Sequence, residues 1–375
     1  MVRNLDGTVG SRIMERSILK HIPGKSLPGI SLGDDYGVLT SVGAVYAVGR
    51  ADIDEGIDDK AWSDYHYENE FVSAGRLALV KALNNFSMSG SRPAEALIDI
   101  SLFSAGEGAV RHLMSEMVKW CDAAGIRIAG GNTSYTGDDA VTVTLIGGCD
   151  IPQDRRKPEP GDKLVMIGYT AGYATVYMAY KMMQLCRDLE ITKDRTESEE
   201  QRASFDERCK ERYGEIIKLS TDYVEEAYRE TIGHTDITAA AYKLYDSGAL
   251  YMHDVSYGGI YRTLYELSKR TGLGVCVNHD LIPIRQDTIE LCERLNLNPY
   301  TIMGTGAFTA VVTADGHVVS NISNYSQDGI PAAVIGELTH EKAATVTNSD
   351  GTMKRSINIY EGEELFAAVS ERIGI

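Results

Sequence analysis

Residues 151–161 (Ile-Pro-Gln-Asp-Arg-Arg-Lys-Pro-Glu-Pro-Gly) interrupt the chain with three prolines and a knot of charges. Proline lacks the N–H that a helix or sheet interior needs, so no regular element runs through such a stretch. The chain therefore divides into two units, residues 1–155 and 156–375. Each is long enough to bury a core of its own.

In the first unit, residues 36–54 are rich in Val, Tyr and Gly and end in acids, which predicts two strands joined by a tight turn. Val72, Leu77, Leu79, Val80 and Leu83 recur at helical spacing over 68–90, and Pro93 stops that helix. A strand over 94–103 follows, then an amphipathic helix over 107–124 and strands over 126–130 and 140–147. The order β-β-α-β-α-β-β predicts a mixed-sheet layer with helices packed on it. The second unit reads as strand 163–168, a helix from about 173, a highly charged segment over 187–232, helix 235–247, loop 249–258, helix 259–271, strand 273–279, helix 286–296, strand 307–313, strand 332–338, a turn at 348–351 and helix 362–373. The charged segment predicts solvated helices, with a mobile stretch around 193–205.

A formal charge of −17 argues against nucleic acid or an anionic membrane as partner through bulk charge. No apolar run reaches the length of a membrane span, and the first residues, Met1-Val2-Arg3-Asn4-Leu5-Asp6, lack an apolar signal core, so a cytoplasmic protein is expected. The six cysteines are scattered with no CxxC pair, which predicts free thiols and neither a zinc site nor a disulfide framework.

Common nucleotide motifs are missing. Gly24-Lys25-Ser26 lacks the glycine a P-loop requires upstream, Gly304-Thr305-Gly306 has Thr309 where a dinucleotide fingerprint has glycine, and Asp52–Gly56 fails as a calcium loop. Five other clusters remain. Gly33-Asp34-Asp35 precedes a strand, and Asp52 closes the next. Two groups of carboxylates on neighbouring strand ends suit a magnesium–phosphate site, although acidic turns beside strands are also common without one. Asn84–Pro93 ends a helix, either as a plain cap or as a site wall. Ala129-Gly130-Gly131-Asn132-Thr133 reads as a strand-end turn whose glycines can let the backbone approach a ligand. His253-Asp254-Val255-Ser256-Tyr257-Gly258-Gly259 leads into a helix N-terminus, a place where anions bind and where Asp or Ser also serve as caps.

Taken in order, these clusters resemble the aminoimidazole ribonucleotide (AIR) synthetase superfamily, which includes thiamine-monophosphate kinase, selenophosphate synthetase and the hydrogenase maturation dehydratase. Asn84–Pro93, Met252-His253-Asp254 through Gly258-Gly259, and Gly272-Leu273-Gly274-Val275 through Ile282-Pro283-Ile284 look most similar to the dehydratase. The resemblance covers the chain apart from about 187–232, which looks like an insertion. It implies an N-terminal mixed-sheet α/β domain that pairs with a second copy in a shared barrel, and a C-terminal α+β domain. It further implies ATP and Mg2+ between them. By that likeness Asp34, Asp35 and Asp52 hold the metal, while Asn85, Gly130, Gly131, Asn132, Gly258 and Gly259 line the nucleotide. Asp254 and His253 stand nearest the chemistry.

Three departures qualify the likeness. Asn85 and Asn132 are amides where the family carries acids, and an amide offers a carbonyl oxygen without charge. The dehydratase's tail cysteine has no counterpart in Glu371-Arg372-Ile373-Gly374-Ile375. The expected function is ATP-dependent phosphoryl transfer, kinase- or ligase-like, to a small metabolite. The alternatives are a nucleotide-binding regulator without turnover and a hydrogenase maturation factor.

Overall fold

The structure is a computed structural model that describes residues 26–27, 30–31, 35–39, 42–57, 66–148, 156–194, 198–214, 219–326, 329–357 and 364–373. Strands β1 (Ser26–Leu27) and β2 (Ile30–Ser31) form a minimal antiparallel pair. β3 (Tyr36–Leu39) and β4 (Ala44–Asp52) form the predicted hairpin, turning at Gly43. A 3-10 turn, Ile53–Glu55, follows. Helix α1 (His66–Ser87), β5 (Pro93–Leu102), helix α2 (Glu107–Ala123), β6 (Arg127–Tyr135) and β7 (Ala140–Gly148) complete a five-stranded sheet in the order β3-β4-β7-β5-β6.

Alternation along β4 and β5 decides which face of this sheet is covered. Val45, Ala47, Gly49 and Ala51, with Ala96, Ile98, Ile100 and Leu102, point under α1 and α2 and are buried. Helix α1 comes so close at Gly49 that a Cβ there would stand 2.1 Å from the Ala78 carbonyl oxygen. The opposite face carries Val48, Arg50, Asp52, Asp99 and Thr142, and among the described residues no helix covers it. β6 is an edge strand whose residues are almost all exposed.

β6 also corrects the sequence reading. Gly130 and Gly131 do not form a turn at a strand end; the strand runs on to Tyr135, parallel to β5, with a register shift beside Ala96 and Leu97. Gly131 lies so close to β5 that a Cβ would fall 1.8 Å from the Ile98 carbonyl oxygen. Glycine is required there by strand packing.

Of the proline-rich break, the part from Arg156 onward lies within the described residues. Arg156 grips Asp162 with both guanidinium nitrogens, at 2.8 and 2.6 Å, as the chain enters the second sheet. That sheet comprises β8 (Lys163–Ile167), β9 (Tyr251–Val255), β10 (Gly274–Asn278), β11 (Ala307–Val312), β12 (Ala332–Thr339), β13 (Ala344–Thr347) and β14 (Lys354–Ser356), in the order β14-β13-β10-β12-β8-β11-β9. Its helices are α3 (Gly172–Asp194), α4 (Glu199–Tyr213), α5 (Thr221–Ile232), α6 (Thr238–Asp246), α7 (Gly259–Thr271), α8 (Gln286–Leu295), α9 (His317–Ser320) and α10 (Leu365–Ile373). β8 and β11 are apolar and buried on both faces, as strands with cover on each side must be. The charged segment lies mainly in helices, the end of α3, α4 and α5, and α4 runs through residues 199–205 of the stretch expected to be mobile.

The expected loop over 249–258 contains strand β9, paired antiparallel with β11 from Tyr251 to Val255. Its central residues, His253 and Asp254, broke the apolar alternation that marks a strand. They are polar because β9 is the edge strand that faces the first unit.

Candidate functional site

The two units meet where the start of β3 touches β9. Asp35 Oδ2 accepts a hydrogen bond from the Asp254 backbone N–H at 2.8 Å, across 219 residues of sequence. His253 Nδ1 lies 3.3 Å from Asp35 Oδ1 and 3.7 Å from Asp254 Oδ1, and it donates to the Asp254 carbonyl at 2.9 Å. His253 Nε2 stands 3.4 Å from Glu266 Oε2. One donor atom from each of Asp35, His253 and Asp254 falls within 4.8 Å of the others. His253 and Asp254 are buried.

Burial alone would strip the proton from His253, but Asp35, with Asp254 and Glu266, reverses this and holds its pKa well above the ordinary imidazole range. Burial pushes the Asp35 carboxyl well above the usual carboxylate range, with the His253 charge pulling it back. The surrounding carboxylates thus favour the protonated ring, which in that state can balance their charge or give up a proton.

Beyond β9 the chain turns sharply into α7. Gly258 and Gly259 both adopt left-handed conformations, with φ of 78° and 62°. A Cβ on Gly259 would lie 2.6 Å from the Tyr300 carbonyl oxygen and 2.7 Å from that of Ile302, so only glycine fits. This turn opens a 13-residue helix, and the dipole at such a helix start favours an anion, although Gly259 N–H and Tyr261 N–H are themselves given to the Ser256 and Tyr300 carbonyls.

The other sequence-predicted residues fall elsewhere. Asp34 lies outside the described residues. Asp52 is not beside Asp35: Tyr36 pairs with Ala47, so Asp35 comes abreast of Val48. Asp52 is four residues further along, about 13 Å at ordinary strand rise. It is held on the open sheet face by Arg50, which bridges it to Asp138 at 2.6 and 2.8 Å. Asn132 stands on the exposed edge strand, in register with Asp99, and a Cβ on Gly130 would meet only Leu97, at an ordinary 3.7 Å. Asn85 donates its amide to the Val48 carbonyl at 3.0 Å. Asp35, His253 and Asp254 thus form one group, Gly258 and Gly259 follow on the connection from β9 to α7, and Asp52 and Asn132 occupy a separate sheet face.

Sequence reasoning missed three residues at the junction. Lys81 on α1 donates to Glu55 Oε2 at 2.5 Å, to the Tyr257 hydroxyl at 2.6 Å and to the Arg50 carbonyl at 3.1 Å. The Tyr257 hydroxyl donates to Glu55 Oε1 at 2.5 Å, and the Tyr173 hydroxyl to the Glu55 carbonyl at 2.6 Å. Lys81 and Glu55 are both buried. The available signal was a lysine inside the apolar run Leu77-Ala78-Leu79-Val80-Lys81-Ala82-Leu83. A cation in that setting is seldom buried without a partner.

Two family models match this architecture. "AIR synthase related protein, N-terminal domain" matches residues 58–149, and "AIR synthase related protein, C-terminal domain" matches residues 218–348. The chain belongs to the AIR synthase related family. Among curated relatives of this AIR synthase related chain, the carbamoyl dehydratase HypE of Rhodobacter capsulatus is 25% identical over 305 residues, covering 78% of this chain and 77% of that protein. The HypE of Rhizobium leguminosarum bv. viciae is 29% identical over 119 residues, 30% of this chain and 33% of that protein.

Solved structures share the fold. A HypE–HypF complex superposes with a TM-score of 0.62 at 16% identity, covering 93% of this chain and 99% of that one. HypE in complex with ATP gives 0.60 at 15%, covering 95% and 96%. AaThiL complexed with AMPPCP and TMP gives 0.59 at 15%, covering 94% and 96%. Within the AIR synthase related chain, Lys81, Asn85 and Asn132 fall in the first matched range and His253 through Gly259 in the second, while Asp35, Asp52 and Glu55 precede both.

Proposed function

We propose that this chain binds ATP with Mg2+ at the junction of its two units and transfers a phosphoryl group to a small molecule. The observation that carries this reading is the meeting of Asp35 and Asp254 beside the left-handed Gly258–Gly259 turn. Two carboxylates within reach of one another are hard oxygen donors of the kind Mg2+ accepts, and the helix start next to them suits the phosphates. The donor set fits the metal through the carboxylate oxygens of Asp35 and Asp254, with His253 packed against both. Bound Mg2+ supplies neutralisation of charge on the transferring phosphoryl group. The ATP-bound HypE and AMPPCP-bound ThiL structures support the nucleotide.

Asp254 is the residue nearest the chemistry and Asp35 orients it through its backbone N–H. Calorimetry with ATP and Mg2+ tests the reading. Wild type should bind in the micromolar range, and Asp254→Asn with Asp35→Asn should weaken binding at least tenfold. Absence of any binding by wild type ends it. A screen of small-molecule acceptors for ADP release then tests transfer.

Binding without turnover is a second reading, favoured by two observations. The Asn85 amide is committed to Val48, and Asp52 is already paired with Arg50 on the open sheet face away from Asp35, so neither adds charge to the junction. Sustained ADP release with any acceptor removes this reading. The face of the first sheet that no described residue covers and the exposed β6 edge support a homodimer.

A further inference from the structure

We propose that Lys81 is a positioning residue for the anion-receiving turn: with Glu55 it fixes the Tyr257 hydroxyl, and through it the Gly258–Gly259 backbone at the start of α7. The inference rests on the nucleotide reading for the turn's ligand, but the coupling itself stands on geometry alone.

The network is closed. An ammonium has three N–H donors, and those of Lys81 go to Glu55, Tyr257 and the Arg50 carbonyl. None is left for a phosphate, so Lys81 acts through Tyr257 and not on the ligand. Both Glu55 oxygens are also engaged, Oε2 by Lys81 and Oε1 by Tyr257. The ammonium lies 4.3 Å from the centre of the Tyr257 ring, so ring and hydroxyl are both gripped.

All the gripping atoms come from the first unit, and the gripped side chain belongs to the turn of the second. Tyr257 immediately precedes Gly258. On its other side the turn is pinned by backbone. The Ser256 carbonyl accepts from Gly259 N–H at 3.1 Å and Gly304 N–H at 3.2 Å, and Gly259 lies against the Tyr300 and Ile302 carbonyls. The turn is thus held between the 300–304 segment of its own unit and the Lys81–Glu55 pair of the other. A flexible glycine pair gains a fixed shape only if both sides are held, and a preformed site avoids the ordering cost on binding.

The test compares wild type with Tyr257→Phe, which keeps the ring and leaves Lys81 paired with Glu55, and with Lys81→Met and the double variant. Two readouts are taken below the unfolding range. Hydrogen exchange of the unliganded protein should show the 256–264 amides losing protection several-fold in both single variants, while amides of 163–167 and 307–312 keep theirs. Calorimetry with Mg2+–ATP should show affinity reduced about tenfold, the size of one charge-assisted hydrogen bond. The double variant should be no weaker than Lys81→Met, because one network is broken once. Unchanged protection of 256–264 in Tyr257→Phe overturns the proposal, as does a loss spread equally over the whole chain, which marks a merely structural role. If wild type binds no ATP, the nucleotide reading fails while the exchange experiment still decides the coupling.

Discussion

His253 is surrounded by Asp35, Asp254 and Glu266 at 3.3–3.7 Å, and the carboxylates outweigh the burial that opposes its charge. Its folded pKa lies above the unfolded value. The stability it contributes is therefore fully present below about pH 6.5 and is lost as pH rises through the folded pKa. Urea unfolding followed from about pH 6 to about 9 should show a declining stability that His253→Gln flattens. Asn84 supplies a second test at this scale. It is buried on α1 and uses both ends of its amide, donating to the Thr235 carbonyl at 2.9 Å and accepting from Ile237 N–H at 3.2 Å. Asn84→Ala leaves both backbone groups unsatisfied inside the junction, and should cost about 2–4 kcal/mol by denaturant midpoint.

At the scale of elements, α1 is the organiser. It lies on β4 at Gly49, and its Lys81 and Asn85, one turn apart, take the β4 carbonyls of Arg50 and Val48 beyond the point where β3 has ended. Adding a methyl at Gly49 drives helix and strand apart. Gly49→Ala should lower stability by about 1–3 kcal/mol, measured by thermal or urea unfolding, while Gly148→Ala, whose Cβ meets nothing, should be near neutral. Most elements were legible because their apolar residues keep a clean period: the β3–β4 hairpin, α1, α2, α7 and α8 begin and end close to where Gly, Pro and charge predicted. β9 was not, since His253 and Asp254 face the other unit and carry site chemistry in place of core methyls. The site was half legible for a related reason. Which residues are unusual can be seen locally, as at Gly258–Gly259. Which of them meet cannot, because Asp35 to Asp254 and Lys81 to Tyr257 are tertiary pairs with no local trace. The sequence grouped Asp52 with Asp35 by their nearness along the chain, and the strand register parts them.

Among the described residues, one surface is left unfinished. Nothing there covers the face of the first sheet opposite α1 and α2, and beside it Phe103 and Tyr135 are 69% and 87% exposed, next to the β6 edge. An unpaired strand edge with aromatic residues at its end is a surface that native proteins normally pair or cover. Sedimentation should find a dimer, and Phe103→Glu with Tyr135→Glu should shift it to monomer. With a charge of −17 on each copy, raising the salt concentration should tighten the dimer. Among the described residues no helix is long and apolar enough to cross a membrane.

Glu55 and Tyr257 are separated by 202 residues, and this has a bearing on synthesis. At translation rates of about 5–20 residues per second, Glu55 is made roughly 10–40 s before Tyr257. During that interval Asp35, Asn84 and the Lys81–Glu55 pair face water in place of their eventual neighbours. The first half of a nascent chain is thus obliged to wait, incompletely consolidated, for a tyrosine that has not yet been made. Chains cut short before residue 257 should be cleared by proteases far faster than chains cut short after α7.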